Sequence, residues 1–258
     1  MIIGISGHKQ SGKDSVAKII QSIISGDHLK GTLSVIKNNY DIPDSGWQIV
    51  KFADKLKDIV CLIIGCTREQ LEDEEFKNTP LGEEWKNYSY NIAEGKTEFD
   101  EGEPSVIHEY FITPRMLLQR IGTDVCRNIH PNMWVNATMR EYKAIDRRTF
   151  QDPDDSNIIM PNWIISDVRF PNEYDAIKER NGIVIRVNRL FSGQTKQLTD
   201  TIRTGNVSTT AVEIDHSDPH PSETALDNHD FDYTIDNNGT IDDLIVKVKD
   251  ILVKEKMI

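Results

Sequence analysis

The stretch MIIGISGHKQSGKDSVAKIIQSIIS, residues 1–25, decides the reading of the fold. It opens as an apolar run from Met1 to Ile5 and ends at Ser6-Gly7. A polar loop follows. Val16, Ala17, Ile20, Ile23 and Ile24 then recur at helical spacing, with Gly26 as the stop. The order is strand, loop, helix. The loop carries the spacing GxxxxGK at Gly7, Gly12 and Lys13, with its hydroxyl at Ser15, one place later than in the commonest form. In that context the glycines let successive backbone N–H groups turn inward around phosphate oxygens, and the helix N-terminus adds partial positive charge. Lys13 is placed to reach the β- and γ-phosphates of a nucleotide, and Ser15 lies within reach of a phosphate. Asp14 stands where many such loops carry the Ser or Thr that ligates magnesium. Two readings stay open: a magnesium ligand, direct or through water, or an acidic residue that merely favours a helix N-terminus.

Working outward, apolar strands alternate with amphipathic helices. Trp47 to Phe52 reads as a strand and Asp54 to Ile64 as a helix; Thr67 caps a short helix holding Arg68 and Leu71. Thr113-Pro114 opens a helix running to Arg127, and Asn132 to Ile145 reads as another. Residues 146–161 read as an irregular loop. Trp163 to Ser166 is a short apolar strand running into Asp167, Pro171 to Arg180 a helix, and Gly182 to Val187 a second buried strand. Phe231 to Ile235 is the last strand, and Thr240 opens the last helix, with Asp243 three residues on as a near capping box. The alternation predicts an α/β fold: a parallel sheet flanked by helices on both faces. Residues 27–46 read as a connection carrying little core. Residues 72–111 read as a polar insertion with a hairpin around Gly102, and 188–230 as a mobile lid. The whole of 1–258 is expected to form a single domain.

The 258 residues carry 30 basic and 42 acidic side chains, a formal charge of −12. That balance argues against a broad basic surface for DNA or RNA. It leaves room for small anionic ligands, because a few convergent Lys and Arg outweigh the bulk charge locally. No apolar run reaches the roughly 18 residues of a membrane span, and the N-terminus lacks the pattern of a signal peptide. The expectation is a cytoplasmic protein, in the host cytoplasm if the source is viral. Cys61, Cys66 and Cys126 have no zinc-ribbon or CxxC spacing and read as reduced, mostly buried thiols. His216, His220, His229 and Glu223 fit no zinc pattern either.

Two further stretches carry chemistry. In WIISDVRFPNE, residues 163–173, Asp167 falls at the carboxyl end of a buried strand, where ligands bind in open α/β sheets. Asp167 and Arg169 alternate, so both can face one crevice, with Arg169 bridging donor and acceptor phosphates. The structural alternative is an Asp–Arg pair fixing a strand-to-helix turn. In the 114–127 helix, Leu117, Leu118, Ile121 and Val125 form one apolar face, while Arg120, Thr123 and Arg127 fall on another. Arginine suits bidentate phosphate recognition. Trp134 has two readings, stacking on a base or packing in the core, with the core favoured.

Together SGHKQSGKDS at 6–15, KFADKLKD at 51–58, LLQRIGTDVCR at 117–127 with Trp134, SDVRFPNE at 166–173 and YTIDNNGTIDDL at 233–244 resemble the deoxynucleoside monophosphate kinases of large tailed bacteriophages, within the P-loop nucleoside-monophosphate kinase group. The resemblance implies ATP-dependent, Mg²⁺-dependent phosphorylation of deoxynucleoside 5′-monophosphates. It implies that Gly12, Lys13, Asp14 and Ser15 hold ATP, and that Lys9 contacts the acceptor phosphate. Arg120, Gly122, Thr123, Arg127, Trp134, Asp167, Arg169 and Glu173 would line the acceptor site, with Lys55 and Arg68 as weaker members. Asn237-Asn238-Gly239 resembles the turn near the donor adenine, Asn238 being the assigned contact. A lid arginine, Arg189 or Arg203, would close over the phosphates. Kinases of this kind are often homodimers. The chemistry needs no general base, because the nucleophile is a phosphate oxygen with a second pKa of about 6. It needs charge neutralisation, for which Lys9, Lys13, Arg127, Arg169 and Mg²⁺ are the candidates. Two other readings share the loop: a small-molecule kinase resembling dephospho-CoA kinase, and a non-catalytic nucleotide-binding module.

Overall fold

The computed structural model describes residues 1–26, 46–90, 106–146, 158–189 and 224–258. The expected connection over 27–45, the tip of the expected hairpin over 91–105 and most of the expected lid, with Arg203, His216, His220 and Glu223, lie outside these residues. In chain order the elements are β1 (Ile2–Ser6), α1 (Lys13–Ile24), β2 (Trp47–Val50), α2 (Asp54–Ile64), α3 (Arg68–Glu72), α4 (Glu74–Asn78), β3 (Lys86–Tyr90) and β4 (Val106–Phe111). There follow α5 (Pro114–Gln119), a π-helical turn (Arg120–Val125), α6 (Cys126–Ile129), α7 (Met133–Met139), β5 (Ile145–Asp146) and β6 (Ile158–Ile159). The chain closes with β7 (Asn162–Val168), α8 (Pro171–Lys178), β8 (Ile183–Asn188), β9 (Tyr233–Asp236) and α9 (Ile241–Lys254). Two compact units result: Met1–Phe52 with Val135–Ile258, and Ala53–Trp134.

The first unit is an α/β layer structure. Its sheet has the order β2-β7-β1-β8-β9, with every neighbouring pair parallel. Strand alternation sorts the side chains onto two faces. Ile3, Ile5, Ile164, Ile183, Ile185 and Val187 pack with Val16, Ala17, Ile19 and Ile20 of α1 and Leu244, Val248 and Leu252 of α9. Ile2, Trp163, Ile165 and Val184 pack with Val135 and Met139 of α7 and Ala176 and Ile177 of α8. Both faces of the central strands are therefore largely dry, which is why Ile2–Ile5, Trp163–Ile165 and Ile183–Ile185 read as apolar runs. Each fully buried Ile or Val contributes about 2 kcal/mol of transfer free energy, so this sheet is the stiff part of the molecule.

The second unit has a thinner core. Leu56, Val60, Leu71 and Trp134 are its buried members. β3 and β4 pair antiparallel, Lys86 opposite Phe111 and Asn87 opposite Tyr110, while the expected turn around Gly102 lies outside the described residues. Much of the surrounding order comes from caps and ion pairs. Thr67 and Gln70 form the full capping box of α3, and Asp73 caps α4.

Three expectations are corrected by the structure. The helix expected to run unbroken from 114 to 127 is α5, a π turn and α6 in succession. The helix expected over 132–145 stops at Met139, beyond which Arg140, Glu141 and Lys143 extend no apolar face. Tyr142 instead packs edge-on against Trp163, with ring centroids 4.9 Å apart, and Ile145 enters the short antiparallel pair β5–β6 within the expected loop. The cysteines are free thiols but half-buried, not buried. Cys61 and Cys66 have their sulfurs 3.7 Å apart; burial, then the neighbouring Cys61, push the Cys66 thiol up to about 11. Among the described residues no helix is long and apolar enough to cross a membrane.

Candidate functional site

In the first unit the carboxyl ends of five parallel strands share one edge, the edge at which open α/β sheets bind ligands. The loop joining β1 to α1 occupies the middle of it. Gly7 has φ 154° and Gly12 φ 100°, conformations that L side chains rarely adopt. A Cβ on Gly7 would collide with the Val187 carbonyl oxygen, and one on Gly12 with the side-chain amide of Asn237. The turn is closed by Ser11 N–H donating to the His8 carbonyl at 3.2 Å, with Gln10 at φ 61°. Ser11 is 1% exposed, and its buried hydroxyl has no hydrogen-bond partner. A buried orphan hydroxyl inside a loop that leads into the N-terminus of a twelve-residue helix is a donor suited to an anion.

Lys13 is buried, and its ammonium donates to the carbonyls of Gly7 at 2.7 Å and His8 at 2.6 Å. The cation is thus held across the loop. Asp14 is largely exposed; Lys51 Nζ lies 2.9 Å from its Oδ1, and the Ser166 hydroxyl donates to the same oxygen at 3.1 Å. Partial desolvation would raise its carboxyl, but Lys51, Ser166 and Lys13 outweigh that and hold it below the ordinary value. Ser15 is half-buried on the first turn of α1, and Lys9 is exposed at the tip of the loop.

At the end of β7, Asp167 is 9% exposed and accepts the Phe52 N–H at 2.8 Å. Arg169 is half-buried beside it. Glu173 is buried at 2% exposure and accepts the backbone N–H groups of Arg169 at 2.7 Å and Phe170 at 3.1 Å. Its carboxylate caps α8, so it shapes the turn that carries Arg169. Just beyond β9, Asn237 meets the loop: its side-chain amide donates to the Ser11 carbonyl at 2.9 Å, while Asn238, the expected contact near the donor adenine, is exposed beside it.

The clearest omission of sequence reasoning is Arg186 on β8. It is 8% exposed, and its guanidinium donates to Ser6 Oγ at 3.2 Å and Asp227 Oδ1 at 2.6 Å, with His8 Nε2 at 3.1 Å. The only sequence signal was an arginine inside the apolar run Ile183–Val187. A lone buried arginine in a core strand demands a partner.

Within the second unit, Arg120 is exposed, donates to the Tyr110 hydroxyl at 3.3 Å and lies over its ring at 5.7 Å. Arg127 is half-buried, with Nη1 at 3.5 Å from the Pro131 carbonyl. The π turn between them adds an extra residue per turn, so the face expected from α-helical counting does not persist. Gly122 is buried and its carbonyl accepts the Trp134 indole N–H at 2.7 Å; Thr123 is half-buried. Trp134 is 5% exposed within the core of the unit. Its ring is therefore a packing element, and the base-stacking reading is withdrawn. Arg68 is engaged by three carboxylates: Asp54 and Asp58 at 2.9 Å tie α2 to α3, and Glu72 at 3.5 Å lies one turn along α3 itself. Lys55 is exposed on α2.

Fold and loop together define an α/β protein with a P-loop kinase-like parallel sheet. Two proteins are similar to it in sequence. Over 145 residues it is 30% identical to a putative deoxynucleotide monophosphate kinase of Acanthamoeba polyphaga mimivirus, a match covering 53% of this chain and 59% of that protein. Over 209 residues it is 25% identical to the deoxynucleoside-5′-monophosphate kinase of Escherichia phage T5, covering 70% of this chain and 73% of the phage protein. The chain thus spans under two thirds of the mimivirus protein's length. No family model matches it.

Proposed function

We propose that this protein transfers the γ-phosphoryl group of ATP to deoxynucleoside 5′-monophosphates, giving a deoxynucleoside diphosphate and ADP. The observation that carries the reading is Lys13, buried and held across a loop framed by two glycines of positive φ between β1 and α1. The names of the two similar proteins support the choice of acceptor. In this reading the amides of residues 8–13 and the Ser11 hydroxyl hold the donor's phosphates. Lys13 leaves the carbonyls of Gly7 and His8 for the β- and γ-oxygens, exchanging neutral acceptors for charged ones.

The donor set beside the loop, the Asp14 carboxylate and Ser15 hydroxyl, consists of hard oxygen ligands suited to Mg²⁺. No cluster of three or more His, Cys, Asp or Glu is present among the described residues. The ion would therefore take its remaining ligands from phosphate oxygens and water, as Mg²⁺ commonly does. When bound, it neutralises charge on the transferring phosphoryl group. Asp167 and Arg169 face the same strand edge, with Arg169 supplying a fork for phosphate oxygens and Lys9 a second cation. Arg120, Thr123 and Arg127 remain proposed acceptor contacts. A π turn, often found where a helix serves a site, falls on the stretch the motif picks out.

The test is ADP release that depends on added dNMP, measured across dTMP, dGMP, dCMP, dAMP, AMP and dephospho-CoA. The expected result is turnover with one or more deoxynucleotides well above that with dephospho-CoA. ATP binding without phosphorylated product for any acceptor would overturn the reading in favour of a binding module. Replacing Arg127 with Met should raise the acceptor KM roughly tenfold or more while leaving the ATP KM in place, the loss expected for a charge-assisted phosphate contact.

A further inference from the structure

We propose that buried Arg186 and its exposed partner Asp227 form the positioning device of the nucleotide-binding loop, acting through His8 and Ser6 to set where Lys13 stands. This rests on the reading of residues 7–13 as an ATP phosphate site.

The geometry is a three-point anchorage. Arg186 sits at the carboxyl end of β8, in register with Ser6 at the end of β1. One Nη donates to Ser6 Oγ at 3.2 Å, the last side chain before the loop begins. The other Nη lies 2.6 Å from Asp227 Oδ1 and 3.1 Å from His8 Nε2. His8 Nε2 is itself 3.1 Å from the same carboxylate oxygen, closing a triangle. The guanidinium also lies over the Phe231 ring at 5.4 Å, and Nε is 3.4 Å from Asn188 Oδ1. His8 is the residue whose carbonyl takes both the Ser11 N–H and the Lys13 ammonium. Fixing the His8 side chain therefore fixes the backbone group that carries the turn and the catalytic cation.

A packing role alone does not explain this arrangement. An ion pair whose carboxylate is exposed returns little net stability, and an apolar side chain in place of the buried arginine often serves the fold as well. A planar fork with several donors supplies fixed relative placement of three separate backbone segments: the end of β1, the loop, and residues 227–231. Lysine keeps the charge but cannot span three partners. The guanidinium's donors are taken up by Ser6, Asp227, His8 and Asn188, so Arg186 and its partner Asp227 are assigned as positioning residues.

The experiment uses the full chain and reads ATP affinity by isothermal titration, alongside thermal midpoints and the separate KM values of ATP and dNMP. Asp227→Asn and His8→Ala should each weaken ATP binding by about tenfold, the scale of losing one charge-assisted contact. The dNMP KM should stay unchanged. Arg186→Lys should fail to restore the affinity that Arg186→Met loses, whatever either does to the midpoint. If Arg186→Met does not fold, the His8 and Asp227 variants carry the test. The double variant His8→Ala/Asp227→Asn should bind ATP no more weakly than the weaker single variant, because both act along one route. Folded variants with wild-type ATP affinity, or effects that simply add in the double variant, would overturn the proposal. Wild-type protein that binds ATP but phosphorylates no acceptor would overturn the kinase reading and leave this one standing. Unchanged affinity in the variants would do the reverse.

Discussion

The loop at 6–13 and the segment at 114–129 both carry cations proposed to bind phosphates, and they are built in opposite ways. The loop grows out of a strand that is dry on both sides. Its glycines, Lys13, Ser11 and the Arg186–Asp227 pair are held from beneath by β8 and from the side by Asn237. The 114–129 segment belongs to a unit with four buried apolar residues at its centre. Its order leans on Trp134, helix caps and partly exposed ion pairs such as Lys57–Glu72 and Arg115–Glu74. A stiff scaffold lets backbone amides define a site. A thin core leaves that task to long side chains, whose placement costs more conformational entropy when a ligand orders them.

The sharpest way to break the comparison is at Lys13. Lys13→Ala should lower turnover by about a thousandfold or more, the scale of deleting a preorganised charge at a developing phosphoryl charge. Its thermal midpoint should move little, because the loop's shape is set by other residues. A variant that melts many degrees lower would show that Lys13 is part of the scaffold instead. Next is Trp134→Ala, which should destabilise the Ala53–Trp134 unit by about 3–5 kcal/mol through the cavity it leaves. Trp134→Phe, which keeps most of the ring and loses the bond to Gly122, should cost about 1 kcal/mol. Hydrogen exchange should show the gain in opening confined to residues 53–134, and exchange spread evenly into β1 and β7 would erase the contrast drawn here.

Arg68→Met should cost no more than about 1 kcal/mol, because its three carboxylate partners are largely exposed and screened. The cost should shrink further in molar salt, and denaturant midpoints at low and high salt read it directly. The smallest effect belongs to Asp14. Lys51 and Ser166 hold its folded carboxyl below the ordinary value of 3.8. The stability they lend is therefore fully present above that value and is lost as the pH falls through the lower, folded one. Urea midpoints of the protein and of Asp14→Asn should differ most near neutrality and converge in acid. A difference that grows as the pH falls would reverse the sign of the argument.

The parallel sheet was legible because its central strands are buried on both faces and leave apolar runs at 2–5, 163–165 and 183–187, the last broken only by Arg186. The helices α1, α2 and α9 were legible from apolar spacing and, for α9, a capping box. The end of α7 was less so, since Tyr142 turns back onto Trp163, a contact between residues far apart in spacing terms. The π turn was hidden because LLQRIGTDVCR satisfies an α-helical pattern equally well. Among the site residues, Lys13 and the two glycines were visible from spacing alone. Glu173 was visible as a member of the motif, but its work as a backbone cap was not.

The chain's own order of residues determined that a glycine-framed loop follows a buried strand and precedes a helix, because steric freedom and apolar periodicity are local properties. Only the tertiary structure decided that Asn237, Arg186 and Asp227 hold that loop and that Trp134 is core. Those outcomes depend on which distant strand ends and helices come together in a parallel sheet and its packing, and pairing between residues up to 226 positions apart leaves no periodic trace in the sequence.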